Sequence, residues 1–191
     1  MKRREFIGNF LAGAAASASL VQVQSIHASE ETAKINIDPD KFAETAYQHF
    51  IQGKRTCSES ILMAGCETLA LKSKLVPDIA FGLAGGVGLQ GEICGVLTGC
   101  SLVLSLAMAK IEKDYAKKKI QTLHAVGRVH NAFKKQFSKT DCRSLCGLDL
   151  TTPEGRKKLE EGVKEQTCAK YVQAGSALLA KELQNLWQNK P

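Results

Sequence analysis

Apolar residues recur along most of this chain three and four positions apart, which is the spacing of one helix face. Phe42, Ala46, Tyr47 and Phe50 follow a helix start at Asp38-Pro39-Asp40 and stop at Gly53. Ile61, Leu62, Leu69 and Leu71 predict a second helix ending near Lys72, and Pro77-Asp78 opens a short third that runs into Gly82, Gly85, Gly86, Gly88 and Gly91. Residues 93–109 carry no charge. That run falls short of the roughly 20 residues a bilayer span needs, so it predicts a central helix surrounded by others. Residues 114–138 predict a long basic helix with an apolar seam at Leu123, Val126, His130, Phe133 and Phe137. A turn over residues 141–152 follows, and Thr152-Pro153-Glu154 then supplies a cap and a first-turn proline for a new helix. The last helix lines up Cys168, Val172, Gly175, Leu179, Leu183 and Leu186 on one stripe. No stretch alternates as a strand would. The expected fold is all-α: a compact bundle of six or seven helices, with a glycine-rich turn before a central apolar helix.

The first residues change the picture of where this bundle works. Met1-Lys2-Arg3-Arg4-Glu5-Phe6-Ile7 leads into an uncharged run over 7–23, and Ile26-His27-Ala28 closes it with a small-residue processing site. This is signal-peptide anatomy. Arg3-Arg4 followed by Phe6 and Ile7 resembles a twin-arginine leader, with Lys2 where Ser or Thr is usual. The expected organisation is a twin-arginine signal peptide over 1–28, a polar lead-in over 29–39 and one helical domain over 40–190, exported to the periplasm. That route carries folded chains, so the expectation includes a cofactor loaded before export.

Composition adds two constraints. Aromatics make up only 6% of the chain while Ala, Leu, Gly and Lys are plentiful, which suits small-residue helix packing. The formal charge is +7, and without residues 1–28 it falls to +5, from 23 basic and 18 acidic residues. Such a dispersed excess suits acidic partner proteins or a membrane surface and excludes no protein partner, but it does not make a nucleic-acid interface.

Seven cysteines carry the candidate chemistry: Cys57, Cys66, Cys94, Cys100, Cys142, Cys146 and Cys168. In an exported chain they are candidates for disulfides, although the number is odd and the chain is long enough to hold a core without staples. Zinc sites usually draw on tight pairs, and only Cys142 and Cys146 are spaced that way. No Cys-x-x-Cys-His is present, so covalent haem is not expected, and no Cys-x-x-Cys marks a thioredoxin-like site. Cys94 follows the glycine-rich turn and opens the most apolar helix, where free backbone N–H groups and the helix dipole favour a thiolate or a metal-bound sulfur. His130 on the apolar seam suits a hydrogen-bonded core residue, and Lys117-Lys118-Lys119 with Lys134-Lys135 suit a solvated face.

These residues resemble a family of redox-active proteins with a Cys…Cys-Gly-Ala-x-x-Gly…Cys…Cys pattern. Cys57 with Ser58 is similar to the first cysteine of that pattern, and Cys94-Gly95-Val96-Leu97-Thr98-Gly99 to its central motif, with Val96 in place of Ala. Cys142 resembles the third cysteine and Cys168 the fourth, which leaves Cys66, Cys100 and Cys146 as extras. The same cysteine domain resembles part of split-Soret cytochrome c, where it accompanies an iron–sulfur centre beside haem. The resemblance implies an iron–sulfur cluster, [2Fe–2S] or [4Fe–4S], held by Cys57, Cys94, Cys142 and Cys168 and trading electrons with a periplasmic oxidoreductase or electron-transfer protein. Two other functions stay open: a thiol–disulfide oxidoreductase with Cys94 as the attacking thiolate, and a structural or zinc-binding helical domain. A dimer joining two half-sites also stays open.

Overall fold

A computed structural model describes residues 37–188 of the chain. The leader and its processing site lie outside the described residues. The first helix, α1 (Pro39–Ile51), starts where Asp38 accepts hydrogen bonds from the backbone N–H groups of Asp40 and Lys41, and buries Phe42, Ala46 and Phe50. In α2 (Cys57–Thr68) the start is fixed by a reciprocal capping box between Thr56 and Glu59. A 3₁₀ turn over Asp78–Leu83 then leads into α3 (Ala84–Val87), a single turn in which Gly85, Gly86 and Val87 all have positive φ. The central helix α4 (Gly95–Ile111) buries residues all round, including Val96, Leu97, Cys100, Val103, Leu104 and Met108. Next come α5 (Tyr115–Phe137), α6 (Cys142–Cys146) and α7 (Pro153–Lys158), then a π-helical segment over Leu159–Cys168 that continues into α8 (Ala169–Gln188). Setting aside the left-handed turn α3, seven α-helices remain among the described residues, and no strand is present among them.

Packing places α4 at the centre, against α2, α5 and α8, while α1 packs on α2 and α8. The core so formed joins Ile61 and Leu62 of α2, Val103 and Leu104 of α4, Phe133 of α5 and Leu179 and Leu183 of α8. No helix among the described residues is long and apolar enough to cross a membrane. The all-α expectation holds, as does the buried central helix.

Three details differ. The buried seam of α5 is Ala125, Val129 and Phe133, spaced four apart, whereas Leu123 is 57% exposed because it lies off that face. The expected turn over 141–152 contains α6, capped by the Asp141 side chain accepting from the Ser144 N–H. The last helix is entered through the wide π turn, so Cys168 sits at the junction of two helical geometries.

Candidate redox site

Three helices begin with a cysteine, and their beginnings meet. Cys57 is the first residue of α2, Cys94 the N-cap of α4, and Cys142 the first residue of α6. Backbone pairing draws two of these starts together: Ile93 forms an isolated antiparallel bridge with Asp141. The Cys94 N–H donates to the Thr140 carbonyl at 2.8 Å, and the Cys142 N–H donates to the Glu92 carbonyl at 2.6 Å. The start of α2 comes close because Gly95 has no side chain: a Cβ there would stand 2.3 Å from Cys57 Sγ. Helix N-termini carry partial positive charge, although at α6 the N–H groups of Cys142, Arg143 and Ser144 are already taken by the Glu92 and Gly91 carbonyls and the Asp141 carboxylate.

Cys57, Cys142, Cys146 and Cys168 line one cavity of about 110 Å³. Leu89 and Leu150 form apolar walls, and Arg55, Glu160 and Lys164 supply its charged groups. Cys94 packs against Cys57 from the core side and is buried. Cys66 and Cys100 belong to the main core instead, away from the cavity lining. Burial is the main cause that pushes the Cys100 thiol up to about 12, and it raises Cys66 as well. These two are inert thiols.

The pocket thiols form two interacting pairs. In the first, the Cys94 thiol bonds to the Cys57 sulfur and holds Cys57 down to about 7 from the usual 9.0, helped by backbone groups at Gly85 and Ser58 and opposed by burial. Cys94 is pushed well up by the same bond and by its own burial. In the second pair the Cys142 thiol bonds to Cys146 and brings Cys146 down to about 6, with help from Arg143, while Cys142 is pushed up. Burial, with smaller contributions from Cys57 and Cys146, lifts Cys168 to about 12, opposed by Lys164 and Lys170. The favoured thiolate of the first pair is therefore Cys57. Cys94, expected as the attacking thiolate, is the more deeply buried of the pair, and that burial disfavours its charged form.

The four cysteines expected to act together thus surround one pocket, with Cys57, Cys142 and Cys168 on its lining and Cys94 directly behind. Cys146, set aside as an extra, lines the pocket too. Its signal in the sequence was the Cys-x-x-x-Cys spacing within α6. All seven cysteines are free thiols in this structure. Among the described residues no group of three or more His, Cys, Asp or Glu side chains converges to hold a single metal ion. Thiols set around a cavity suit a group broader than one ion, and a donor set made wholly of cysteine is what iron–sulfur clusters use.

Residues 55–182 match the model of a family described as "Putative redox-active protein (C_GCAxxG_C_C)". The chain belongs to this family. The matched stretch contains all seven cysteines and every element from α2 to most of α8. No curated protein and no solved structure matches the chain.

Proposed function

We propose that the thiol pocket is the centre of an exported electron carrier, holding an iron–sulfur cluster through the thiolates of Cys57, Cys94, Cys142 and Cys168. The supporting observation is that the cysteine-led starts of α2 and α6 open on one apolar cavity lined also by Cys168, with Cys94 at the start of α4 packed behind Cys57. Positive helix ends favour sulfur in its anionic, ligating form, and an apolar wall keeps water from competing for the thiolates. A bound cluster would supply one-electron chemistry at this position. The chain's own residues hold the sulfurs in place, exclude water and provide compensating charge. The partner of this reading is a periplasmic oxidoreductase or electron-transfer protein.

Anaerobic purification followed by iron, sulfide and visible-absorption measurements tests the proposal. Brown protein with iron and sulfide in cluster proportions is expected. Single Ser replacements at Cys57, Cys94, Cys142 and Cys168 should each bleach or strongly alter the spectrum, while Cys66→Ser and Cys100→Ser should leave it intact. Colourless wild-type protein without iron would overturn it.

The pairing of thiols favours a second reading, a thiol–disulfide oxidoreductase. In it the Cys57 thiolate attacks a partner disulfide and releases one partner thiolate, which takes up a proton. Cys94, giving up its own proton, then attacks the mixed disulfide, closing Cys57–Cys94 and freeing the second partner thiol. Two electrons and two protons pass to the partner. Iron-free protein that reduces a disulfide substrate, and loses that activity in Cys57→Ser, would select this reading.

A further inference from the structure

We infer that Lys164 is the counter-charge of the thiol pocket, a positioning residue that sets the reduction potential of the centre held there. This rests on the redox reading above. Lys164 lines the same cavity as Cys57, Cys142, Cys146 and Cys168, and its side chain is only 15% exposed. Lysine is seldom buried to that extent without a close anionic partner. The acidic group nearest to it is Glu160, at 3.9 Å, and that carboxylate is itself 68% exposed and therefore largely satisfied by water. The ammonium also stands 5.1 Å from the centre of the Phe50 ring, a cation–π contact that orients it but carries no formal charge. Arg55, the other cation on the lining, is engaged with Glu59 at 3.7 Å.

The backbone is shaped to aim this residue. Lys164 and Cys168 lie on the π-helical segment Leu159–Cys168. A π turn is wider than an α turn and stacks residues four to five positions apart. Glu160, Lys164 and Cys168 stand four residues apart along this segment, so they follow one face and reach the cavity together with Leu159. A cation fixed by the fold beside several thiols, with little acid to offset it, favours the state of the pocket that carries more negative charge. For a thiolate-held centre that is the reduced state. Lys164 therefore raises the potential, and removing its charge lowers it.

The test compares Lys164→Gln and Lys164→Arg with the wild type, using anaerobically purified protein, iron analysis and a dithionite titration with redox mediators. Lys164→Gln should retain its iron and show a one-electron equilibrium about tenfold less favourable to reduction, a midpoint about 59 mV more negative. Lys164→Arg should keep most of the wild-type midpoint. An unchanged midpoint in the iron-replete Gln variant would overturn the inference, as would equal shifts in both variants, which would indicate packing and not charge. Wild-type protein that holds no iron counts against the cluster alone. The Lys164 inference is then read on the dithiol–disulfide midpoint in glutathione buffers, where a tenfold loss of the reduced form in Lys164→Gln is about 30 mV for two electrons. No shift there would sink it.

Discussion

Single atoms decide how close the thiols come. Gly95 sits where any Cβ would meet Cys57 Sγ at 2.3 Å and the Ala84 Cα and Ser58 N at 3.3 Å, so even Gly95→Ala must push α2 away from α4. Overpacking of this kind costs about 1–3 kcal/mol. Gly95→Ala should lower the unfolding free energy read from denaturant titration by that amount and slow alkylation of Cys57; unchanged stability would show that α2 yields without cost. The thiol pairs carry a pH signature as well. Cys57, held at about 7, and Cys146, held at about 6, form thiolate at lower pH than an ordinary thiol, while Cys94, Cys142 and Cys168 are pushed the other way. In iron-free protein, alkylation should thus modify two thiols with half-maximal rates near pH 6 to 7, against the usual 9.0. Cys94→Ala takes away the bond that lowers Cys57, so the Cys57 profile should move upward in pH. A profile that stays in place would mean the neighbouring backbone groups hold the thiolate without Cys94.

Short elements hold this site together, and two of them test the proposition that local capping positions the sulfurs. The five residues of α6 start at Asp141, whose carboxylate accepts from Ser144 N–H at 2.7 Å and is kept below its usual range by Ser144. Asp141→Ala should cost about 1 kcal/mol and loosen Cys142 and Cys146, whereas Asp141→Asn keeps the cap. Because the carboxylate form caps best, the contribution of Asp141 is present above the carboxyl's unfolded value of 3.8 and fades as pH falls through its lower folded value. The Asn variant should lack this acid-side loss in pH-dependent unfolding; an identical acid limb in both proteins would refute the role of Asp141. The second element is the turn leading to α4. From Gly85 to Leu89 every residue has positive φ, including Val87 and Leu89, and a β-branched residue is strained in that region. Val87 is 42% exposed, so little burial is lost on removing its side chain. Val87→Gly should stabilise the protein by up to about 1 kcal/mol, as relief of strain outweighs the added freedom of the unfolded chain. Gly86→Ala should do the opposite, since its Cβ would stand 2.3 Å from the Glu92 backbone nitrogen. If Val87→Gly destabilises instead, the left-handed turn is held by contacts of the Val87 side chain and the strain argument fails.

Much of this element order was legible from periodicity and punctuation. The starts at Asp38-Pro39 and Thr152-Pro153, the uncharged central helix and the last apolar stripe all stand where caps and spacing put them. What periodicity could not supply was depth. Leu123 has the right spacing for a seam but lies off the face that buries Ala125, Val129 and Phe133, and the close spacing of Cys146 to Cys142 does not say that both line a pocket. The run of glycines read as a break, whereas two residues with side chains share its left-handed course, which tertiary contacts must enforce. Lys164 stands four residues before Cys168, a spacing that puts both on one face, but the sequence does not show that this face closes on the pocket and leaves the lysine only 15% exposed.

At the scale of the whole molecule, the site is assembled from the ends of the fold. Cys57 and Cys168 line the same cavity across most of the domain's length, and α8, which follows Cys168, packs on both α1 and α4. Loop closure over such a separation is completed only when the last helix docks, so no four-thiol site exists in a partly folded chain. A centre loaded before export therefore requires a domain that is already folded, and an exporter that accepts folded cargo. On the proposed reading, that exporter is the one the expected twin-arginine leader, with Arg3-Arg4, would address. Replacing both by Lys preserves charge but removes the planar guanidinium pair. The double variant should accumulate in the cytoplasm as full-length, folded precursor that still binds iron, with little or no mature protein in the periplasmic fraction. Fractionation with immunoblotting and iron analysis of each fraction reads the result. Normal periplasmic yield of the Lys-Lys variant would show that the chain crosses unfolded, and the pocket would then have to acquire its centre, or close its thiol pairs, after export.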